Sequence, residues 1–205
     1  MKRLKLKWQD DISRRKVLSL LEAGKVIIGP SDTVFGFYAM PTQEGFTSLN
    51  IIKKRDEKPY LLLISCLEEL KKYISSDQLL QFEKIINQCW PGPLTIIFKA
   101  REDVPTYCCS FKRTIACRMP AWDQLRELLQ VTGPLLSTSA NVSGQPFPVR
   151  YEDIDPLLIE KVAGVLEGKS QKEITPSTII DVSTGTITII REGAFDRKKL
   201  ETLIG

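Results

Sequence analysis

Thr178-Ile179-Ile180-Asp181-Val182-Ser183-Thr184-Gly185-Thr186-Ile187-Thr188-Ile189-Ile190 is the stretch that decides the class of fold. Two β-branched runs, 178–182 and 186–190, flank Ser183-Thr184-Gly185, which reads as a tight hairpin turn. Upstream, short apolar runs alternate with helical periodicity almost to the N-terminus. An antiparallel pair set into that alternation predicts α/β layers with a mixed sheet instead of a purely parallel one.

Working upstream, strands are expected at 134–137, 114–117, 94–98, 61–65, 33–40 and 26–28. Helices are expected at 196–203, 121–131 and 77–90, where Leu79, Leu80, Phe82, Ile85, Ile86 and Cys89 share a face. Another helix starts behind Thr42 as N-cap, and a first one covers 10–23, with Gly24 as its stop. The 205 residues, 42% of them hydrophobic, suit one domain over 1–205, without a repeat or a long linker.

The charge balance, 29 Lys+Arg against 25 Asp+Glu, is mildly basic and permits an anionic ligand without demanding one. No apolar run approaches the ~20 residues that cross a bilayer, and the basic start lacks a signal-peptide core, so a cytoplasmic location is expected. Five cysteines without Cys-x-x-Cys spacing read as scattered reduced thiols, not as a metal site. With no histidine anywhere, every His-based triad is excluded. Chemistry must rest on Lys, Arg, hydroxyls, amides and carboxylates.

The segment Gly164-Val165-Leu166-Glu167-Gly168-Lys169-Ser170 imitates a phosphate-binding P-loop, but it has three residues where that loop needs four. No apolar helix follows it, and a solvated turn is the expected structure. Four other polar segments sit at strand ends, where sites on open α/β sheets lie. They are the turn Pro30-Ser31-Asp32-Thr33, the run Lys53-Lys54-Arg55-Asp56-Glu57-Lys58, the loop 137–144, and Ser177-Thr178 together with Arg191. Each has an ordinary explanation: a self-satisfied turn, cations at a helix C-terminus, a solvent loop, a solvated arginine. Each also suits an anion, through planar guanidinium forks, mobile ammonium groups and dense hydroxyl and amide donors.

Their order carries more than any one of them. Pro30-Ser31-Asp32-Thr33-Val34-Phe35-Gly36, Lys53-x-Arg55, Trp90-Pro91-Gly92-Pro93-Leu94-Thr95, Arg118-Met119-Pro120, Ser139-Ala140-Asn141-Val142-Ser143-Gly144, Ser177-Thr178-Ile179-Ile180-Asp181 and Arg191-Glu192-Gly193-Ala194 together resemble the YrdC-like family, collinearly over about 26–194. The resemblance implies a twisted mixed sheet with flanking helices around a large basic concave cavity. It implies an L-threonylcarbamoyladenylate synthase of single-domain form, in which L-threonine, bicarbonate or CO2, and ATP with Mg²⁺ yield threonylcarbamoyl-AMP and pyrophosphate. The product then serves the tRNA threonylcarbamoyl-transfer machinery, which acts at tRNA position 37.

Residue by residue, the resemblance assigns Lys53, Arg55, Ser139 and Asn141 to catalysis, and Lys58, Arg118, Ser143, Ser177 and Arg191 to ATP and its phosphates. Ser31 and Thr33 fall to threonine. The chain departs from the family pattern at Ser31 (usually Thr), at Phe35 (usually Tyr) and in the shortened Arg55–Lys58 spacing. A non-catalytic module that binds tRNA or other RNA through the same concave face is the alternative, against which stands the lack of a dense Lys/Arg stripe with interleaved aromatics. A carbamoyl-transfer domain of the hydrogenase-maturation type would be expected to bring zinc-finger and acylphosphatase-like regions, which this sequence lacks.

Overall fold

The computed structural model describes residues 4–54, 59–142, 144–148, 150–168 and 175–204. In chain order the elements are β1 Lys5–Leu6, α1 Asp11–Glu22, β2 Ile27–Gly29, β3 Gly36–Ala39, α2 Gln43–Lys53, β4 Leu61–Leu63, α3 Leu67–Leu70, α4 Ser76–Gln81, α5 Glu83–Cys89, β5 Leu94–Lys99, β6 Thr114–Arg118, α6 Asp123–Thr132, β7 Leu135–Ser139, α7 Pro156–Ile159, β8 Gly164–Leu166, β9 Thr178–Asp181, β10 Thr188–Arg191 and α8 Arg197–Ile204. Among the described residues the strands form one sheet in the order β1-β8-β2-β3-β7-β4-β6-β5-β9-β10. Parallel pairs (β1–β8, β8–β2, β4–β6, β5–β9) are interspersed with antiparallel ones, so the sheet is mixed.

Local chemistry places the helix ends. Asp10 caps α1 by accepting from Ser13 N at 2.7 Å, and Gly24 follows it at φ +67°, a left-handed position that glycine adopts without strain. Thr42 caps α2 through its hydroxyl, which accepts from Gly45 N at 3.2 Å. The helix expected over 77–90 is interrupted at Phe82 (φ −108°, ψ 12°), whose ring is buried. Just upstream, Gln78 pairs both amide groups with the Lys99 backbone and ties α4 to β5. The hairpin is present but wider than a tight turn, because Asp181 faces Thr188 as its last paired residue.

The P-loop look-alike corrects the expectation of a solvated turn. Gly164–Leu166 is a buried strand between β1 and β2, with Leu6 against Gly164, while Lys169 and Ser170 lie outside the described residues. A three-residue apolar run inside a Gly- and Lys-containing segment carries too little periodicity to be read as a strand.

Alternation along the strands builds two layers. Phe37, Leu62, Leu136, Ile96, Phe98, Cys117 and Ile180 face the main core. On the opposite face Leu63 and Leu135, paired in register, share a second core with Val17 and Leu21 of α1 and with Leu125, Leu128 and Leu129 of α6. Two residues along that same face, the next pair is Leu61 and Ser137, and it opens onto a cavity. The helical cover ends there, and the site begins.

All five cysteines are free, and Cys89, Cys108, Cys109 and Cys117 are buried. Burial pushes the Cys89 thiol up to about 11 and that of Cys108 up to about 12, and raises those of Cys109 and Cys117. Since the thiolate is the reactive form, iodoacetamide at mildly alkaline pH is expected to label the native chain at Cys66 alone. Peptide mass mapping that finds a second native thiol modified as fast as Cys66 would contradict this packing. Among the described residues no helix is long and apolar enough to cross a membrane.

Candidate functional site: a polar cavity on the open face of the sheet

Within the uncovered face lies a cavity of about 300 Å³. Six of the residues singled out in the sequence line it: Ser31, Thr33, Arg118, Ser139, Ser177 and Arg191. They come from positions far apart in the chain and meet because β3, β7, β4, β6, β5 and β9 are neighbours. Small side chains make the hollow. A Cβ on Gly36 would sit 3.2 Å from both Ser137 Oγ and the Tyr38 ring.

The turn after β2 is held from below. Tyr38 donates its hydroxyl to Pro30 O at 2.9 Å, and its burial raises the phenol's pKa well above the usual value. Ser31 Oγ donates to Val34 O at 2.8 Å, so in the 3.0 Å contact between Ser31 Oγ and Thr33 Oγ1 the donor is Thr33. Thr33 therefore turns acceptor lone pairs toward a ligand, which favours an N–H or O–H group there.

Asp32 points away from this hydroxyl pair into a buried ion pair. Its Oδ1 accepts from Arg118 Nη1 at 2.6 Å, with the two side chains 2% and 4% exposed, and its Oδ2 accepts from Ala121 N at 3.1 Å. Arg118 Nε is buried without a partner among the described residues. The chain thus brings a cation to the cavity already neutralised on one side and unsatisfied at Nε.

At the far rim, Lys53 crosses from α2 to the end of β7. Its ammonium donates to Ser139 O at 3.0 Å and to Asn141 O, and lies 3.5 Å from Asn141 Oδ1. Ser139 Oγ donates to the same Oδ1 at 2.7 Å, while Asn141 Nδ2 donates to Gln145 O at 2.6 Å. The capping function expected of a cation at this helix end falls instead to the backbone of Lys54, in the left-handed region at φ 46°. Asn141 lines an adjoining, wider groove of about 840 Å³ with Arg150, and Phe147 borders both spaces. Arg55, Lys58 and Ser143 lie outside the described residues.

Arg191 is exposed, as expected of a surface arginine, but its guanidinium is anchored. Its guanidinium grips Ser177 O from Nε at 3.2 Å and Nη2 at 2.7 Å, and desolvation lowers its pKa from the usual arginine value. Sequence reasoning did not single out Asp32, Thr95, Tyr60 or Phe147 as site residues. Asp32 and Thr95 sat in quoted motifs without a role of their own, whereas nothing in the pattern marked Tyr60 or Phe147.

Comparison with known proteins agrees with this geometry. The profile of the Sua5/YciO/YrdC family, described as telomere recombination, matches residues 19–193. A Methanocaldococcus jannaschii relative is 35% identical over 193 residues, 91% of this chain and 90% of its own length. The threonylcarbamoyl-AMP synthase of Vibrio campbellii is 33% identical, covering 87% of this chain and 97% of that protein. The crystal structure of Pyrococcus abyssi Sua5 complexed with L-threonine superposes with a TM-score of 0.86 at 24% identity, which establishes the likeness of fold. That match covers 100% of this chain but only 61% of the Pyrococcus protein. With the profile spanning most of its length and the sheet, turn and cavity in register with its motifs, the chain belongs to the Sua5/YciO/YrdC family.

Proposed function

We propose that the protein is a threonylcarbamoyl-AMP synthase, joining L-threonine, bicarbonate or CO2, and ATP into threonylcarbamoyl-AMP with release of pyrophosphate. The observation that carries the reading is the convergence of six polar motif residues on one small cavity. Its volume is that of a small-molecule site, and the adjoining groove past Phe147 offers room for a nucleotide. A non-catalytic RNA-binding role is not favoured, because the polar groups gather in a pocket instead of along a basic stripe.

In this reading the amino acid lies deep and the triphosphate near the rim. Arg118, assigned to the nucleotide from sequence alone, better suits threonine's carboxylate, since its guanidinium is almost fully buried. Thr33 Oγ1, backed by Ser31, accepts from threonine's hydroxyl or amine. The neutral amine attacks CO2 to form a carbamate. A carbamate oxygen then attacks the α-phosphorus, and pyrophosphate leaves. Alignment and charge stabilisation dominate such a step, and no covalent nucleophile is needed.

Lys53, Arg55 and Lys58 would neutralise the phosphates, Ser139 and Asn141 would take phosphate and carbamate oxygens, and Ser143, Ser177 and Arg191 would complete the pocket. Mg²⁺ would arrive as part of the Mg·ATP substrate. Among the described residues no three His, Cys, Asp or Glu side chains gather, and Asp32 is already engaged. ATP and tRNA meet in the cytoplasm, so we assign the reaction to that compartment, with the tRNA threonylcarbamoyl-transfer machinery downstream.

Pyrophosphate release from Mg·ATP, measured with and without L-threonine and bicarbonate, tests the assignment. Release that requires both co-substrates and is weaker with L-serine is the expected outcome. A folded chain that binds ATP yet releases nothing would defeat it. Salt-dependent RNA affinity without turnover would put the binding module in its place.

A further inference from the structure

Thr95 is a buried hydroxyl to which the proposed reaction gives no task. It sits in β5, where Leu94, Ile96 and Phe98 enter the main core and Thr95 and Ile97 face the cavity. Only 2% of the residue is exposed. A hydroxyl this buried persists when it has a partner. That partner is Ser177 Oγ, 2.8 Å away.

Several independent contacts hold the two hydroxyls together. The Trp90 indole donates to Leu94 O at 2.6 Å, and Gly92 N donates to Met119 O at 2.9 Å, so the segment entering β5 is anchored on both sides of Pro93. Thr178 N donates to Pro93 O at 3.0 Å and starts the parallel register that pairs Leu94 with Thr178. Arg191 clamps the Ser177 carbonyl, and its Nη2 lies 3.5 Å from Ser177 Oγ.

Ser177 Oγ has one proton and two lone pairs. Either hydroxyl can donate across the 2.8 Å contact, while Arg191 Nη2, 3.5 Å from Ser177 Oγ, has only hydrogens to offer it. With Thr95 as the donor, the Ser177 proton is left for a ligand in the cavity. Chained donors of this kind reinforce one another in a low-dielectric site.

We infer that Thr95 is a positioning residue for the synthase reaction: its hydroxyl orients Ser177 as a hydrogen-bond donor toward an anionic oxygen, carboxylate or phosphoryl, of the bound substrates. The inference rests on the proposed function for the identity of those substrates. Thr95 touches no substrate itself and acts through Ser177.

A double-mutant cycle between Thr95→Val and Ser177→Ala tests it, with Thr95→Ser as the hydroxyl-retaining control. Valine keeps the shape and removes one hydrogen bond, so kcat/KM for L-threonine-dependent pyrophosphate release should fall by about tenfold. The melting temperature should not fall. Thr95→Ser should stay within about threefold of wild type, and Thr95→Val should cost little more once Ser177 is alanine. Wild-type turnover by Thr95→Val would overturn the inference. So would an equal loss in both backgrounds, or a Thr95→Ser variant as poor as valine. If the wild type shows no threonine-dependent release, the synthase reading falls. The same cycle is then read by calorimetric affinity for ATP and for L-threonine, where loss of the Thr95–Ser177 coupling overturns the positioning role separately. A wild type that binds neither ligand overturns both.

Discussion

Asp32→Ala is expected to destabilise the protein by about 3–5 kcal/mol, the cost of leaving a buried charge without its partner. Arg118 is 4% exposed, and Asp32 is the carboxylate that faces it at 2.6 Å. Losing that carboxylate also strips the acceptor from Ala121 N, so the start of the chain into α6 loosens with it. Against a total stability of about 5–15 kcal/mol, this is enough to leave a visible unfolded population in mild urea. Adding Arg118→Met should restore much of the loss, because an apolar side chain replaces an orphaned cation. Urea denaturation of the two variants decides the matter. A single mutant within about 1 kcal/mol of wild type would mean that the pair is far better hydrated than its burial indicates.

Lys53→Ala is expected to lower kcat/KM for pyrophosphate release by about 10²–10³, the scale on which preorganised donors contribute to charge-building steps. The ammonium acts in two ways. In the proposed reaction it would supply charge near the triphosphate, and it ties together Ser139 O, Asn141 O and Asn141 Oδ1, so the loop after β7 depends on it. Ser139→Ala should share part of the same loss, since its hydroxyl closes on the same Oδ1, and the combined variant should fall well short of the product of the two effects. Steady-state kinetics on the folded variants give the answer. Turnover like wild type in Lys53→Ala would remove this bracket from the mechanism. Arg55→Ala is expected to show a comparable kinetic loss.

Much of this is legible in the sequence. Strands in this sheet announce themselves by β-branched runs, and the caps at Thr42 and Gly24 follow from hydroxyl acceptance and a positive φ. The site residues were legible as motifs but not as a geometry. Nothing in the spacing of Asp32 and Arg118, 86 positions apart, foretells a salt bridge, and nothing in the run Lys53-Lys54-Arg55 tells which cation leaves the helix. β1 escaped because a two-residue strand has no period to detect, and β8 because Val165-Leu166 sits among Gly164, Glu167, Gly168 and Lys169, which read as a turn. Phe147 escaped because an aromatic in a Pro-flanked loop reads as an incidental surface residue until the fold sets it between two hollows.

The interleaved strand order has a consequence for the chain during synthesis. β3 cannot reach β4 except through β7, and β5 meets β10 only through β9. A ribosome-bound chain that has released residues 1–130 would hold Ser31, Thr33, Lys53 and Arg118, yet it would lack the strand that joins the first two to the rest. The Arg191 end of the cavity waits longer, until that residue has emerged to clamp Ser177. A fragment that ends before β7 or before Arg191 therefore holds only part of the cavity lining. A ligand that touches both the turn after β2 and Arg191 stabilises the finished chain more than any such fragment, by an amount set by its concentration relative to Kd.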